Sequence, residues 1–243
     1  MVRKVRVFAA FILTALAVSV PAAKLLCNKS NKVSVSVADA KISDAGQITE
    51  EHNDSDTSES WKIILVNSSN PIPENYKIEL MQLDNGVSVD KRIYQDLQLM
   101  FDDMRNQGIF PIVGEGYRTR EEQSAMMQDK ISAYINEGYD LQEAQILAEK
   151  WVAKPGTSEH ELGLALDINA DTELSDNITV YNWLCENAYK YGFILRYPKG
   201  KEYITGIDYE PWHYRYVGRE TAEEMFNEQL TLEEFYGIKD FKR

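Results

Sequence analysis

The chain has 243 residues and is 44% hydrophobic, which is enough for one globular domain of moderate size with additional segments. Its formal net charge is −13 at pH 7. Because proteins that bind nucleic acid carry basic surfaces, this charge argues against nucleic acid as a partner. The two cysteines are fewer than a protein held together by many structural disulfides would carry.

The N-terminal segment differs in composition from the rest of the chain. It begins with the basic residues Arg3, Lys4 and Arg6, and residues 7–23 are almost wholly apolar or small. This pattern is typical of an export signal or of an uncleaved signal anchor. We therefore predict a signal peptide or N-terminal membrane anchor at residues 1–26. The protein is then extracytoplasmic, either anchored or secreted, and touches the membrane only through this segment.

A polar stretch follows the N-terminal segment. Residues 27–59 are rich in Ser, Asp, Asn, Lys and Glu and contain few large apolar residues. Such a composition buries too little surface to offset the entropy cost of ordering the chain. We therefore expect a disordered linker here, followed by one folded domain at residues 60–243.

The first elements of the folded domain are predicted from short apolar runs and helical spacing. The folded part begins near Trp61, with an apolar strand at residues 62–66. Apolar residues at helical spacing predict a helix over residues 90–107. A strand is expected at residues 109–113, and Pro111 favours an edge position for it because proline cannot donate to a strand ladder.

Two further helices are predicted from their capping residues. Thr119 and Glu122 fit a capping box at the start of a helix that ends near Glu137. Asp140 is expected to cap the next helix, which continues to Lys154 before a Pro-Gly pair breaks it. These caps satisfy backbone N–H groups that have no partner within their helix.

The remaining elements complete a mixed pattern of strands and helices. They are a strand at residues 163–168, a helix at 177–191, strands at 193–197 and 212–217, and a C-terminal helix capped by Thr221. The order lacks a regular β-α-β alternation. We therefore predict an α+β fold, a single compact domain with a largely antiparallel sheet flanked by helices.

The segment from Ser158 to Asp167 reads Ser-Glu-His-Glu-Leu-Gly-Leu-Ala-Leu-Asp. On a strand, its aliphatic residues point into the core and Asp167 points to the opposite face. The small residues Gly163 and Ala165 are expected to leave room on that face for a metal and a substrate. His160 lies on the preceding turn and is expected to fold back over the same face.

A second motif, Glu-Pro-Trp-His-Tyr, begins at Glu210 and supplies His213 from a strand. Glu210 and His213 do not share one face of a straight strand, but Pro211 permits a bend that brings both to one pocket. The chain has three histidines, and only His52 lies outside the two motifs, in the polar stretch. The motifs therefore supply two imidazoles, one carboxylate ligand and one further carboxylate.

This set of groups is typical of a catalytic zinc site, with three protein ligands, an open position for water and a general base. The predicted ligands are His160, Asp167 and His213, and the predicted base is Glu210. A cation near the site would stabilise an oxyanion or a substrate carboxylate, and Arg118 is the best candidate. The alternative is that Arg118 is a surface residue in the first turn of a helix.

The pattern Ser-x-His-x-x-Gly-x-Ala-x-Asp followed by Glu-x-Trp-His resembles the zinc D-alanyl-D-alanine carboxypeptidases of bacterial cell walls, in particular the VanY-type enzymes of vancomycin resistance. The likeness covers roughly residues 61–230 and includes Gly116-Tyr117-Arg118. It implies a compact α+β zinc-peptidase domain whose ligands and base are those named above. It also implies that Arg118 stabilises the oxyanion or grips the substrate, and that Gln123 and Ser158 line the substrate pocket.

The resemblance implies substrates that are peptidoglycan precursors or stem peptides ending in D-Ala-D-Ala, from which the terminal D-Ala is removed. Together with the ligand types, it favours zinc over iron or manganese. Similar enzymes cut an L-to-D bond in tetrapeptide stems with the same metal motif, and this L,D activity remains an alternative. A second alternative is a non-catalytic zinc module that only binds wall peptides. It is less favoured, because such a module is expected to have lost the general base, and Glu210 is present.

Overall fold

A computed structural model describes residues 59–239 of the chain. The strands of this part of the chain are β1 (Leu80–Gln82), β2 (Ser88–Asp90), β3 (Pro111–Glu115), β4 (Ala165–Ala170), β5 (Phe193–Leu195) and β6 (His213–Tyr216). Its α-helices are α1 (Tyr94–Asn106), α2 (Arg120–Asn136), α3 (Leu141–Ala148), α4 (Asn177–Asn187), α5 (Glu202–Thr205), α6 (Arg219–Glu228) and α7 (Leu232–Phe235). Four short 3-10 helices lie at Ser60–Lys62, Lys91–Ile93, Glu159–Leu162 and Ala188–Tyr191.

The central sheet has four strands in the order β3-β4-β6-β5, and each neighbouring pair is antiparallel. Strands β1 and β2 form a separate antiparallel pair. The predicted α+β fold with an antiparallel sheet is therefore confirmed. Strand β3 lies at an edge and begins with Pro111, as the sequence predicts. The two central strands carry the site, because Asp167 of β4 lies directly opposite His213 of β6.

The larger hydrophobic core lies on one face of this sheet. A smaller cluster forms around Ile194, Val217 and Met225. Leu166 and Ile168 of β4 and Tyr214 of β6 are at most 1% exposed, and they pack with buried residues of α1 and α4. Burial of one such aliphatic side chain contributes roughly 1.5–3 kcal/mol. Because side chains alternate along a strand, packing this face on the core turns Asp167 and His213 to the other face.

Helices α2 and α3 pack against each other and begin where the sequence predicts. Both start with complete capping boxes, at Thr119 and at Asp140. Helix α3 ends at Ala148, earlier than predicted, because the N–H groups of Trp151 and Val152 both donate to the Ala148 carbonyl and turn the chain. This turn brings residues 153–157 back towards the site.

Two other predicted features are wrong. Residues 62–66 form no strand: Lys62 ends a 3-10 helix, and the carbonyl oxygens of Lys62 and Ile64 accept hydrogen bonds from the Arg215 side chain instead of from a neighbouring strand. Thr221 does not cap the C-terminal helix, since α6 begins earlier, after Gly218. A capping box occurs instead at Thr231, at the start of α7.

The predicted signal or anchor at residues 1–26 lies outside the described residues, and so does the predicted linker up to residue 58. Within residues 59–239, no helix has both the length and the hydropathy needed to cross a bilayer.

Candidate metal and catalytic site

His160 is placed by the short 3-10 helix Glu159–Leu162, which Gly163 ends. Gly163 has φ +69°, a left-handed conformation that glycine adopts at little cost. A Cβ at this position would run into the Ile78 side chain and lie 3.0 Å from the backbone nitrogen of Asp90. Gly163 therefore serves the turn and a close approach of two backbones. The expectation that it leaves space on the metal-facing side of a strand is wrong.

The orientation of the His160 ring is fixed by its contact with Gly116. The Nδ1 atom of His160 lies 2.8 Å from the carbonyl oxygen of Gly116. Because a carbonyl oxygen only accepts, Nδ1 donates to it, and in the neutral ring the lone pair then lies on Nε2. This Nε2 atom is 3.5 Å from Oδ1 of Asp167, so it is turned towards the carboxylate.

Asp167 and His213 complete a group that suits a metal ion. The Nδ1 atom of His213 lies 3.3 Å from Oδ1 of Asp167. One ligand atom from each of His160, Asp167 and His213 falls within 4.8 Å of the others. Oδ1 of Asp167 is buried and has no hydrogen-bond partner. A buried carboxylate oxygen without a donor is costly, and a cation between the three groups would satisfy it.

The charges of the site also favour a cation. Burial opposes ionisation of Asp167, but His160 and His213 outweigh it and hold the pKa of Asp167 well below its usual range. Burial likewise opposes a charged His213, but the nearby carboxylates of Asp167, Glu159 and Glu210 raise its pKa to about 9. The metal-free site therefore holds a proton where a metal ion would supply the positive charge.

Glu210 is brought to the same pocket by a tight turn. The N–H of His213 donates to the carbonyl of Glu210 at 3.3 Å across Pro211 and Trp212. The bend predicted at Pro211 is therefore confirmed. Oε2 of Glu210 lies 3.4 Å from Nδ1 of His213, and the residue is 7% exposed. Burial, supported by the charge of Asp167, raises the pKa of Glu210 to about 8.

Arg118 and Gln123 lie together beside the turn of His160. Arg118 is 7% exposed, which excludes the alternative of a surface arginine. Its backbone N–H donates to the carbonyl of His160, and its Nη1 donates to Oε1 of Gln123 at 2.6 Å. Gln123 in turn donates to the carbonyl of Ala153 at 2.6 Å. The Nε atom of Arg118 is buried without a hydrogen-bond partner and lies 3.6 Å from Oε1 of Glu115, with which it forms an ion pair.

Ser158, the other predicted pocket residue, is 4% exposed and stands directly before the helix that carries His160. A cavity of about 170 Å³ lies next to this region. Its walls include Ala153, Thr157 and Tyr197. The Tyr197 ring packs on the His213 ring with centroids 4.7 Å apart. The cavity therefore shares a wall with the metal group.

Sequence reasoning missed three buried charged residues behind the site. Glu159 accepts hydrogen bonds from Arg196 and Arg215, and each of the three is at most 2% exposed. The signal in the sequence is an arginine within each of two apolar segments that were predicted as strands. A charge in such a position implies a buried partner of opposite sign.

Comparisons with known proteins identify a family and several relatives. The family model VanY, described as D-alanyl-D-alanine carboxypeptidase, matches residues 86–219. A D-alanyl-D-alanine carboxypeptidase of Enterococcus faecalis (strain ATCC 700802 / V583) is 52% identical over 177 residues, which are 73% of this chain and 66% of that protein. The chain spans between 45% and 66% of the length of three curated relatives that it matches.

Two solved structures are similar over most of the chain. A mutant of the vancomycin-resistance D,D-pentapeptidase VanY, in complex with Zn(II), is 53% identical with a TM-score of 0.71, and covers 72% of this chain and 99% of that one. The L,D-carboxypeptidase LdcB is 33% identical with a TM-score of 0.59, and covers 73% of this chain and 86% of that one. With the family model matching residues 86–219, these likenesses show that the chain belongs to the VanY family of D-alanyl-D-alanine carboxypeptidases.

Proposed function

We propose that the chain is a zinc-dependent D,D-carboxypeptidase that removes the C-terminal D-Ala from peptidoglycan precursors or stem peptides ending in D-Ala-D-Ala. The observation that carries this proposal is the packing of Glu210 against a three-residue metal group, with Oε2 of Glu210 only 3.4 Å from Nδ1 of His213. A closed structural zinc site has four protein ligands and needs no such carboxylate.

His160, Asp167 and His213 are the residues that would hold zinc, through Nε2, a carboxylate oxygen and Nδ1 respectively. Two imidazoles and one carboxylate are a ligand set that zinc accepts in catalytic sites. When bound, zinc acts as a Lewis acid that polarises a carbonyl and makes water more acidic. The family relationship to a VanY enzyme solved with Zn(II) supports this metal.

Glu210 is the general base of the proposed reaction. Its carboxylate takes a proton from the water that attacks the amide carbonyl between the two D-Ala residues, and passes the proton to the nitrogen of the leaving D-Ala. A base works best when its pKa lies near the operating pH. Burial of Glu210 moves its pKa in this direction, to about 8 in the metal-free protein.

Arg118 supplies a fixed positive charge to the substrate. Its guanidinium is held by Gln123 and by an ion pair of Nε with Glu115 at 3.6 Å, and this buried Nε has no hydrogen-bond partner. A guanidinium in this state binds either the oxyanion of the amide carbonyl or the terminal carboxylate of the peptide. We expect Gln123 and Ser158 to contact the substrate beside Arg118. Neither lines the cavity beside Tyr197, which would give room for the preceding part of the peptide.

The L,D-carboxypeptidase activity is the second candidate, because the chain is also 33% identical to LdcB. The test is the release of D-Ala by the full-length chain from a stem pentapeptide and from the matching tetrapeptide. Release from the pentapeptide alone supports the D,D activity. Release from the tetrapeptide alone would assign the L,D activity to the same catalytic groups. Loss of release in a chelator is expected for either substrate.

The location that suits this substrate is the extracytoplasmic side of the cell membrane, where the wall is built. The basic start and the apolar run of residues 7–23 support export, with the domain either anchored by residues 1–26 or secreted. Cell fractionation with an antibody against the domain tests this location.

A further inference from the structure

Glu159 is a buried carboxylate to which the proposed reaction gives no role. It is 2% exposed and lies next to His160 in the chain. Its Oε1 accepts hydrogen bonds from Nε of Arg196 and Nη1 of Arg215, both at 2.8 Å. Its other oxygen, Oε2, is buried without a hydrogen-bond partner. Oε1 is therefore fixed by two guanidinium groups, whereas Oε2 can accept a further hydrogen bond.

The Oε2 atom of Glu159 faces the His213 ring on the side away from the proposed metal. Oε2 lies 3.9 Å from Nε2 of His213, and this Nε2 is also buried without a hydrogen-bond partner. Two complementary buried atoms that face each other at this distance form a hydrogen bond after a small rotation of the ring. The opposite nitrogen of the ring, Nδ1, faces Asp167.

We propose that Glu159 is the positioning residue of His213, accepting a hydrogen bond from Nε2–H so that the Nδ1 lone pair points at the metal. This inference rests on the proposed zinc site. A carboxylate behind a metal-bound histidine fixes the ring and its tautomer and raises the basicity of the ligating nitrogen. Glu159 would hold His213 as the Gly116 carbonyl holds His160.

The surroundings of Glu159 are arranged to keep it in place. Arg196 also forms a paired contact with Glu233 of α7, at 2.8 and 2.7 Å. Arg215 is anchored by the carbonyl oxygens of Lys62 and Ile64. Two arginines and two glutamates balance in charge within this cluster. The Glu159 carboxylate is thus oriented by two arginines that are themselves fully buried.

This arrangement predicts an unusual effect for the isosteric change Glu159→Gln. The two guanidinium groups only donate, so they take the amide oxygen of the glutamine. The amide NH2 then faces His213, whose Nε2 must become an acceptor, and the ring proton moves to Nδ1. The nitrogen that should bind the metal is blocked.

The matched control is Glu233→Gln, which also weakens a buried contact of Arg196 but leaves Glu159 facing His213. Zinc affinity of the full-length chain is measured by competition with a chromophoric chelator. We expect Glu159→Gln to weaken zinc binding by at least tenfold and up to about a hundredfold. Glu233→Gln is expected to bind zinc within about threefold of the unmodified protein while its thermal stability falls. Equal affinity in the Glu159→Gln and unmodified proteins would overturn the inference.

A second measurement needs no variant, in case Glu159→Gln does not fold. Two-bond ¹H–¹⁵N spectra of ¹⁵N-histidine-labelled, zinc-loaded protein show which nitrogen of each ring is protonated, and three histidines are few enough to resolve. We expect a proton on Nε2 and zinc on Nδ1 of His213. The reverse arrangement contradicts the inference while leaving the zinc site intact. Absence of zinc binding by the unmodified protein would instead remove the proposed function, and this inference with it.

Discussion

The backbone N–H of His213 donates to the carbonyl oxygen of Glu210 at 3.3 Å, so one turn positions a proposed metal ligand and the proposed general base. Pro211 and Trp212 occupy the middle of this turn. Proline restricts the backbone at this point and suits a turn of this kind. The distance between base and ligand is therefore set by local backbone geometry rather than by long side chains that must be ordered.

Glu210→Gln is expected to lower the rate of D-Ala release from a stem pentapeptide by about 10²- to 10⁴-fold, the usual contribution of a general base. Glutamine fills the same space and accepts hydrogen bonds but takes up no proton. Zinc affinity should stay within about threefold, because the three ligands are unchanged. The exposed change Glu224→Gln serves as the control and should leave the rate unaltered. A Glu210→Gln protein that retains the full rate would exclude this role.

Arg118→Ala is expected to lower kcat/KM by about 10²- to 10³-fold, since it removes a preorganised buried cation from the substrate pocket. Arg120→Ala, only two residues further along, removes an arginine whose side chain is 61% exposed. Its partner Glu161 is buried but keeps the backbone N–H of Gly156 as a donor, so loss of the half-exposed pair should matter little to activity. Steady-state kinetics of the two variants compares a buried and an exposed arginine of the same segment. Equal losses in both would point to disruption of α2 rather than to contact with substrate.

Zinc binding is expected to release protons at neutral pH. The pKa of His213 is raised to about 9 in the metal-free protein, so the ring is still protonated at pH 7 and must lose its proton to bind zinc. Zinc affinity should therefore rise as the pH rises from about 7 towards about 9, by up to about tenfold per unit. Calorimetry in buffers of different ionisation enthalpy measures the released protons. An affinity that is flat over this range would show that His213 is already neutral.

Gly163→Ala is expected to destabilise the domain by about 1–3 kcal/mol more than Gly108→Ala. Both glycines have positive φ, +69° and +76°, so both substitutions carry a similar backbone strain. A Cβ at position 163 meets the Ile78 side chain and the backbone of Asp90, whereas a Cβ at position 108 meets nothing within 4 Å. Urea denaturation of the two variants isolates the cost of this close approach. Equal destabilisation of the two variants would mean that the segments at Gly163 and Asp90 move apart without a loss of folding free energy.

The site could be predicted from sequence where local pattern decides geometry. The alternation around Asp167 indicates its face because the aliphatic neighbours must pack on the core. The turn at Pro211 is also local. In contrast, residues 62–66 have the composition of a strand but form none, and two of their carbonyl groups accept hydrogen bonds from Arg215, which is distant in sequence. The role of that arginine depends on tertiary contacts, which periodicity does not report.

The same limit applies to Glu159 and Thr221. The contacts of Glu159 with Arg196 and Arg215 join segments far apart in the chain, and nothing in the spacing of the motif indicates them. Thr221 fits a capping pattern, but the turn at Gly218, with φ +83°, starts the helix earlier. The local preference of the chain at Thr221 was therefore overridden by the turn that leads out of β6.

The most direct test of the proposed mechanism is D-Ala release from a stem pentapeptide by metal-free, full-length protein as zinc is added in increments. We expect no release without zinc, a linear rise, and saturation at one zinc ion per chain, since residues 59–239 contain one such group, His160, Asp167 and His213. Full release by the metal-free protein would contradict this account. So would no release with one zinc ion bound per chain.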